Sequence, residues 1–454
     1  MLSTRTTRLI LSFLLTGLAG AVSADQAIPA AWQKVDVPAA IYKVTDGNGA
    51  AREIAPSCSG GPVCKVDPTT GQPQCREGNK QFSFYFKPGK TQKLLVFFDG
   101  GGACWDSNTC VTSALTPLST YVPEIGPQSD PANSGGVFDL ANKDNPYRDW
   151  SMAFIPYCTG DIHWGSKDDA YTDYTGAVTG APGGQVTIHH RGFDNFLYVR
   201  EWLQGRFSKD HDKGRESRRE STVEKLLVTG SSAGAYGAVF GFPHLQQAFP
   251  GARGYLLADA GNGVVTDSFL QQAVQTVDAR WGMTGNLAHW VPGMDATAAL
   301  PADRYIDAYY FALAGYYPND RFSQYTTHWD VVQALFYNIM VNQNDIRAWG
   351  QITPTVFGDW VQQMVNHVSV TAANPNYRFY VGAGCNHTAL RFNDDFYGSS
   401  STQAIPFLSW FKALTRDDDD GEHPSAWQDT FCASCSAPPT QQEATACMQR
   451  SFGG

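Results

Sequence analysis

A short apolar run that passes straight into a glycine–serine turn, with a helix-forming segment behind it, constrains this chain more than any other feature. Leu226-Leu-Val-Thr229 leads into Gly230-Ser231-Ser232-Ala233-Gly234, and Ala233–Phe249 follows. A serine in the middle of Gly-x-Ser-x-Gly, between a strand and a helix, sits on a tight, strained turn with its hydroxyl exposed above the strand ends. The flanking glycines let the backbone turn without Cβ clashes. Amides at the start of the helix then face the place where negative charge develops. This register makes Ser232, rather than its neighbour Ser231, the candidate nucleophile. A glycine-rich turn without chemistry is the competing reading, and the strand and helix on either side argue against it.

Such a turn needs a parallel sheet around it. Apolar runs bounded by Gly, Asp and Pro recur at Leu94–Phe98, Met152–Tyr157, Leu226–Thr229, Tyr255–Ala258, Phe322–Thr327 and Arg378–Val381, with helical stretches such as Phe193–Leu203 between several of them. This is the pattern of buried parallel strands joined by crossover helices. The expected fold is α/β, an α/β-hydrolase fold with a mostly parallel doubly wound sheet, large insertions and disulfides. Pro243 is expected to kink or break the helix that follows the turn. The 454 residues exceed one compact domain without insertions, and a hydrophobic share of 43% supplies ample core.

Residues 1–24 read as a signal peptide. Arg5 and Arg8 precede the apolar run Leu9–Leu18, and Val22-Ser23-Ala24 forms a small-x-small cleavage site. That run is too short to span a bilayer. Residues 25–81, rich in Pro, Gly and Cys, suggest an irregular N-terminal region. The hydrolase domain is expected over 82–415, and a cysteine-containing C-terminal extension over 416–454. Export predicts a secreted or periplasmic protein in which the ten cysteines, all beyond the cleavage point, form disulfides. Cys104 with Cys110 is the favoured pair, because a short loop separates them. Cys432-Ala-Ser-Cys435 competes as a metal site, but no second pair or local histidine set follows it, so a disulfide is preferred and no metal is expected.

The formal net charge of −10 becomes more negative once the leader and its two arginines are removed. Such a surface gives no electrostatic ground for binding nucleic acid or an anionic membrane. No later apolar run has membrane length, so no membrane anchor is expected. Arg206–Glu220 and Asp417–Asp420 read as solvated surface, the second lacking the spacing of a calcium loop.

A serine nucleophile needs three further groups. Leu94–Phe98 ends in Asp99-Gly100-Gly101-Gly102-Ala103-Cys104, a glycine triplet whose bare amides can approach a substrate oxygen together with the amide of Ala233. The base should lie late in the chain, and His387 follows the run Arg378–Val381 in Gly384-Cys385-Asn386-His387-Thr388. Asn386-His387-Thr388 is also the one Asn-x-Ser/Thr site; a glycan there would obstruct the histidine, so the chain does not rely on N-glycosylation. The acid should fall between serine and histidine. Asp330 ends a strand-like stretch and opens a helix, with Asp345 and Asp259 as rivals and plain helix capping as its alternative role. Trp105, His163 and Trp164 are candidate substrate-pocket residues, with Phe193 beside them, although aromatics more often pack a core.

Taken together these segments resemble the pectin acetylesterase family, which also includes the Notum carboxylesterases. The resemblance runs from about Phe82 to about Phe411. It rests on Asp99–Cys104, on Gly230–Gly234, on Leu257-Ala-Asp259-Ala-Gly261, on the aromatic-Asp-x-x-Gln context of Trp329 to Gln333, and on a histidine two residues after Cys385. The chain departs from the family at Gly102 and Ala103, where members often carry aromatic residues, and in the loop Tyr157–Gly165, particular to a bacterial-looking branch. The resemblance implies Ser232, Asp330 and His387 as a catalytic triad, which selects Asp330 over Asp345. It also implies Gly101, Gly102 and Ala233 as oxyanion amides, with Asp259 in support. The implied reaction is hydrolysis of a carboxylic ester through an acyl-serine, with no metal or organic cofactor. The expected substrate is an acetyl or other short acyl ester of a polysaccharide. The alternatives are a long-acyl or polyester substrate and, in another class, a non-catalytic exported binding protein on a hydrolase scaffold.

Overall fold

The apolar runs become the middle of one nine-stranded sheet in the computed structural model, which describes residues 31–209, 220–276, 278–398, 405–416, 426–432, 435 and 437–452. In chain order the strands are β1 (Gln33–Asp36), β2 (Ser83–Lys87), β3 (Lys93–Phe98), β4 (Ser151–Ile155), β5 (Lys225–Ser231), β6 (Arg253–Asp259), β7 (Arg321–Thr327), β8 (Tyr377–Gly382) and β9 (Thr430–Phe431). Their order across the sheet is β1-β2-β4-β3-β5-β6-β7-β8-β9. Every pairing from β4 to β9 is parallel, and the β1–β2 and β2–β4 pairings are antiparallel. At the centre, Thr229 pairs with Phe97 on one side and Leu257 on the other.

The strands read as unbroken apolar runs because both faces of the sheet are covered. Alternate residues sort accordingly. Leu94, Val96, Phe98, Leu226, Val228, Leu256 and Ala258 join one core. On that side lie α1 (Gly192–Phe207), α2 (Ala233–Ala248) and α3 (Ala302–Tyr316). Leu95, Phe97, Leu227, Tyr255 and Leu257 join a second core on the other face. That core is closed by Phe407, Trp410 and Phe411 of α5 (Phe407–Leu414), while α4 (Val331–Val341) follows β7. A doubly wound α/β-hydrolase sheet results.

Of the two outcomes expected at Pro243, the break is not seen: helix α2 is continuous from Ala233 to Ala248 with the proline inside it. Nearly all of it is buried, and that packing outweighs the roughly 3 kcal/mol that an interior proline costs. Within the region 25–81, expected to be irregular, the described residues 31–81 carry several short strands. β1 forms an edge of the main sheet, and two hairpins follow, Tyr42–Thr45 with Ala51–Ile54 and Pro62–Val66 with Pro73–Glu77. These strands are short and largely exposed, so they carry no apolar run to betray them.

Five disulfides form: Cys58–Cys158, Cys64–Cys75, Cys104–Cys110, Cys385–Cys447 and Cys432–Cys435. Cys64 and Cys75 face each other directly across the second hairpin. The fold brings His328 within 4.8 Å of the Cys432 and Cys435 sulfurs, a neighbour invisible in the linear spacing; joined to each other, those sulfurs are not thiolate ligands. β9, within the C-terminal segment, pairs with β8 at the edge of the main sheet. Residues 1–24, expected to be a signal peptide, together with Asp417–Asp420 and the centre of Arg206–Glu220, lie outside the described residues. Among the described residues no helix is long and apolar enough to cross a membrane.

Candidate active site

Ser232 stands where β5 gives way to α2, with φ 58° and ψ −125°. This is a rare conformation for a residue with a side chain. The turn is pinned from below, because the Ser232 amide donates to the Asp259 carbonyl at 2.8 Å. Its glycines answer to close backbone passage. A Cβ on Gly230 would lie 2.2 Å from the Gly234 carbonyl oxygen, and one on Gly234 would lie 2.0 Å from the Phe98 carbonyl oxygen. Ala233 opens α2, so its amide belongs to the first turn, which has no intrahelical acceptor.

Asp330 lies at the carboxyl end of β7 and is fully buried. It caps α4, Oδ1 accepting the amides of Val332 and Gln333 at 3.1 and 3.0 Å. Both of its oxygens also accept from His387 Nδ1, at 3.0 and 2.9 Å. Capping and pairing with histidine are thus two uses of one carboxylate. Gln333 Nε2 donates to Asp330 Oδ2 at 3.0 Å and to Thr326 Oγ1 at 3.0 Å, which fixes the carboxylate plane. With Nδ1 committed, His387 Nε2 is left buried and without a hydrogen-bond partner. Its imidazole and Ser232 line the same cavity. Asp345 is elsewhere: exposed, it caps a short helix through the Arg347 amide and pairs with the Arg347 guanidinium at 3.2 Å.

Asp259, at the end of β6, is wholly buried and accepts Ser231 Oγ at 2.7 Å and the amides of Ala389 and Leu390 at 3.0 Å. Burial pushes its carboxyl up to about 6, and the Ser231 hydroxyl and the two amides oppose that rise. Asp99, after β3, is tied to Arg391 and receives the Gly100 amide at 3.0 Å. Burial raises its carboxyl too, against the pull of Arg391.

Among the described residues the amides of Gly101 and Gly102 have no hydrogen-bond partner, while the Gly101 carbonyl accepts the Val122 amide at 2.9 Å. Gly102 has φ +79°, and a Cβ there would meet the Thr120 carbonyl oxygen at 1.9 Å. Gly102 and Ala233 share the cavity lining with Ser232; Gly101 stands just outside it.

About 740 Å³ of atom-free space lies within the cavity and its open mouth together. Trp164 lines it. Trp105 and His163 do not. Trp105 is fully buried behind the wall, its ring 5.0 Å from that of Phe269. His163 is spent inside the protein, Nε2 bonding the Asp99 carbonyl at 2.9 Å, and burial lowers its imidazole to about 4. Phe193 is core, packed on Phe196 and Phe240. These rings are aromatic for packing, which sequence alone does not separate from a pocket role. Most of the wall went unread: Val264, Val265, Phe269 and Leu270 after β6, Tyr305 and Ile306 on α3, and Val332, Phe336 and Met340 on α4. The spacing of the last three, one turn apart, is the only local signal among them.

A mostly parallel, doubly wound sheet with a strained serine turn at its carboxyl edge defines an α/β-hydrolase. A sequence profile of the family described as Pectinacetylesterase matches residues 67–405. The chain belongs to the pectinacetylesterase family, a family of carboxylic ester hydrolases. Among curated proteins it is 29% identical over 107 residues to the palmitoleoyl-protein carboxylesterase NOTUM of Schmidtea mediterranea, covering 23% of this chain and 20% of that one. It is 25% identical over 170 residues to the palmitoleoyl-protein carboxylesterase notum1a of Danio rerio, covering 36% of this chain and 28% of that one. The chain thus spans less than a third of the length of either relative. Among solved structures, the Wnt deacylase Notum from Drosophila aligns at 14% identity with a TM-score of 0.48, over 84% of this chain and 99% of that one.

Proposed function

We propose that this chain is an exported carboxylic ester hydrolase working through an acyl-serine intermediate, with Ser232, His387 and Asp330 as its triad. One observation carries the reading: His387 Nδ1 is saturated by Asp330, and Nε2 is left unpartnered in the cavity that Ser232 also lines. In the first step Nε2 takes the proton of Ser232 Oγ as the oxygen attacks the ester carbonyl. The oxyanion meets the amides of Ala233, Gly102 and Gly101, in a site where fixed dipoles need no reorganisation. The alcohol leaves with the proton from Nε2, and water then releases the acid from the acyl-serine by the same route. Asp330 holds the imidazole in one tautomer throughout. Five disulfides support an oxidising compartment, secreted or periplasmic, reached through the leader.

The cavity takes the acyl half of the ester. Its apolar wall favours an acyl chain longer than acetyl, since each buried methylene adds about 0.8 kcal/mol of binding. The second reading, removal of acetyl or another short acyl group from a polysaccharide, is favoured by the family description. Aryl acetate, octanoate and palmitate, compared on one preparation, separate the two. Ser232→Ala should abolish turnover of all three and labelling by a fluorophosphonate while leaving the fold intact. A wild-type chain that neither labels nor turns over would support a non-catalytic binding role instead.

A further inference from the structure

Two buried polar atoms in the cavity lining lack a hydrogen-bond partner among the described residues. One is His387 Nε2, which the reaction uses. The other is Tyr305 Oη, which it does not. Tyr305 sits on α3, 2% exposed, its ring tilted against that of Trp164 at 6.1 Å. Ser232 is the nucleophile of the proposed reaction, and two further polar side chains of the wall have protein partners. Tyr236 Oη accepts the Gly263 amide at 3.2 Å, and Gln333 is engaged by Asp330, Thr326 and Asn262. Tyr309 and Tyr310, further along α3, also carry unpartnered phenols, but they pack in the core and do not reach the cavity. Among the described residues of the lining, Tyr305 is the one phenol without a hydrogen-bond partner, and burial raises it, so that it keeps its proton as a donor.

We propose that Tyr305 selects an acyl group bearing its own oxygen, a hydroxyl or oxo substituent along the chain, which accepts the Tyr305 hydrogen inside an otherwise apolar wall. The proposal rests on the ester-hydrolase reading of the same cavity. A plain alkyl chain fills the space but leaves Oη buried and unmatched, whereas an oxygenated chain of the same length satisfies it. Sites built to hydrogen-bond a substrate group discriminate strongly against the analogue that lacks it, because the protein's own polar atom is then stranded.

The test compares aryl octanoate with aryl octanoates carrying a hydroxyl or an oxo group at successive chain carbons, read as the ratio of kcat/KM values. Wild type should prefer at least one oxygenated ester by about tenfold or more. Tyr305→Phe should bring that ratio close to one, without lowering the thermal midpoint, since it removes a hydroxyl that nothing satisfies. A ratio of one or below at every position in wild type overturns the proposal, and so does a preference that survives Tyr305→Phe. Both outcomes are read on an active enzyme. A wild-type chain inactive on every ester overturns the hydrolase reading and this inference together.

Discussion

The carboxylate of Asp259 accepts the backbone amide of Ala389 through both of its oxygens, each at 3.0 Å. The same side chain holds Ser231 Oγ at 2.7 Å, and its carbonyl holds the Ser232 amide at 2.8 Å. One buried residue at the end of β6 therefore fixes the serine turn and the segment just beyond His387 relative to each other.

Asp259→Asn places a donor where three donors converge, so the two segments shift apart. Displacements of about an ångström cost on the order of 100-fold in turnover, and that is the expected fall in kcat/KM on an aryl ester. Fluorophosphonate labelling of Ser232 should slow in parallel. Ser231→Ala, which removes one of these bonds, should cost far less. Wild-type kinetics in Asp259→Asn would remove the residue from the positioning machinery.

Asp330 has two uses that substitution can separate. Asn caps a helix about as well as Asp, so Asp330→Asn should keep the stability of α4 while kcat falls by roughly 10³- to 10⁴-fold, the imidazole tautomer being lost. Asp330→Ala should show the same kinetic loss and a further drop in stability of about 1 kcal/mol from the missing cap. Urea midpoints and kcat measured on both variants decide it. Equal stability of the two would mean that the cap contributes nothing.

The glycines of the turn differ from glycines elsewhere. Gly234→Ala drives a methyl to within 2.0 Å of the Phe98 carbonyl oxygen, backbone that cannot step aside. The expected cost is about 3 kcal/mol or more, read as a lowered denaturation midpoint. Gly285→Ala meets nothing within 4 Å and should stay within about 0.5 kcal/mol of wild type.

Much of this arrangement was legible because it is local. The strand, the turn and the helix around Ser232 are contiguous, and so are the glycines after β3. The pairing of Asp330 with His387 spans 57 residues; spacing left Asp259 and Asp345 as rivals, and only the resemblance to a family chose among them. Cys104–Cys110 could be guessed from its short loop, whereas Cys58–Cys158, separated by 100 residues, could not. Trp105 and His163 were misplaced because burial is a property of the packed chain, and the same blindness hid Tyr305. Pro243 leaves its helix unbroken for a related reason: helix propensity is local, and the packing that overrides it is not.

His190 gives a pH prediction. It is fully buried, Nδ1 donating to the Thr159 carbonyl at 2.9 Å and Nε2 accepting from Tyr171 Oη at 2.8 Å. Burial lowers its imidazole from 6.5 to about 4, the Thr159 carbonyl opposing. Between those values the unfolded chain binds a proton that the folded one refuses. The stability from the neutral ring is therefore complete above about pH 6.5 and is lost as pH falls toward 4. His190→Gln cannot take up that proton. The stability of wild type relative to the variant should fall by roughly 2–3 kcal/mol between about pH 7 and pH 4.5, measured by urea unfolding. Parallel pH profiles would show that the folded protein accepts the proton.

The bond between Cys385 and Cys447 sets an order of events for the nascent chain. His387 lies two residues from one sulfur, and the partner sulfur, on the helix Gln441–Phe452, is made only 62 residues later. The loop that holds the imidazole gains its covalent anchor after that helix has been synthesised and two thiols have been oxidised. Completion of this loop is thereby coupled to the redox state of the place where the chain finishes folding, and a chain kept among reductants lacks the covalent tether beside His387.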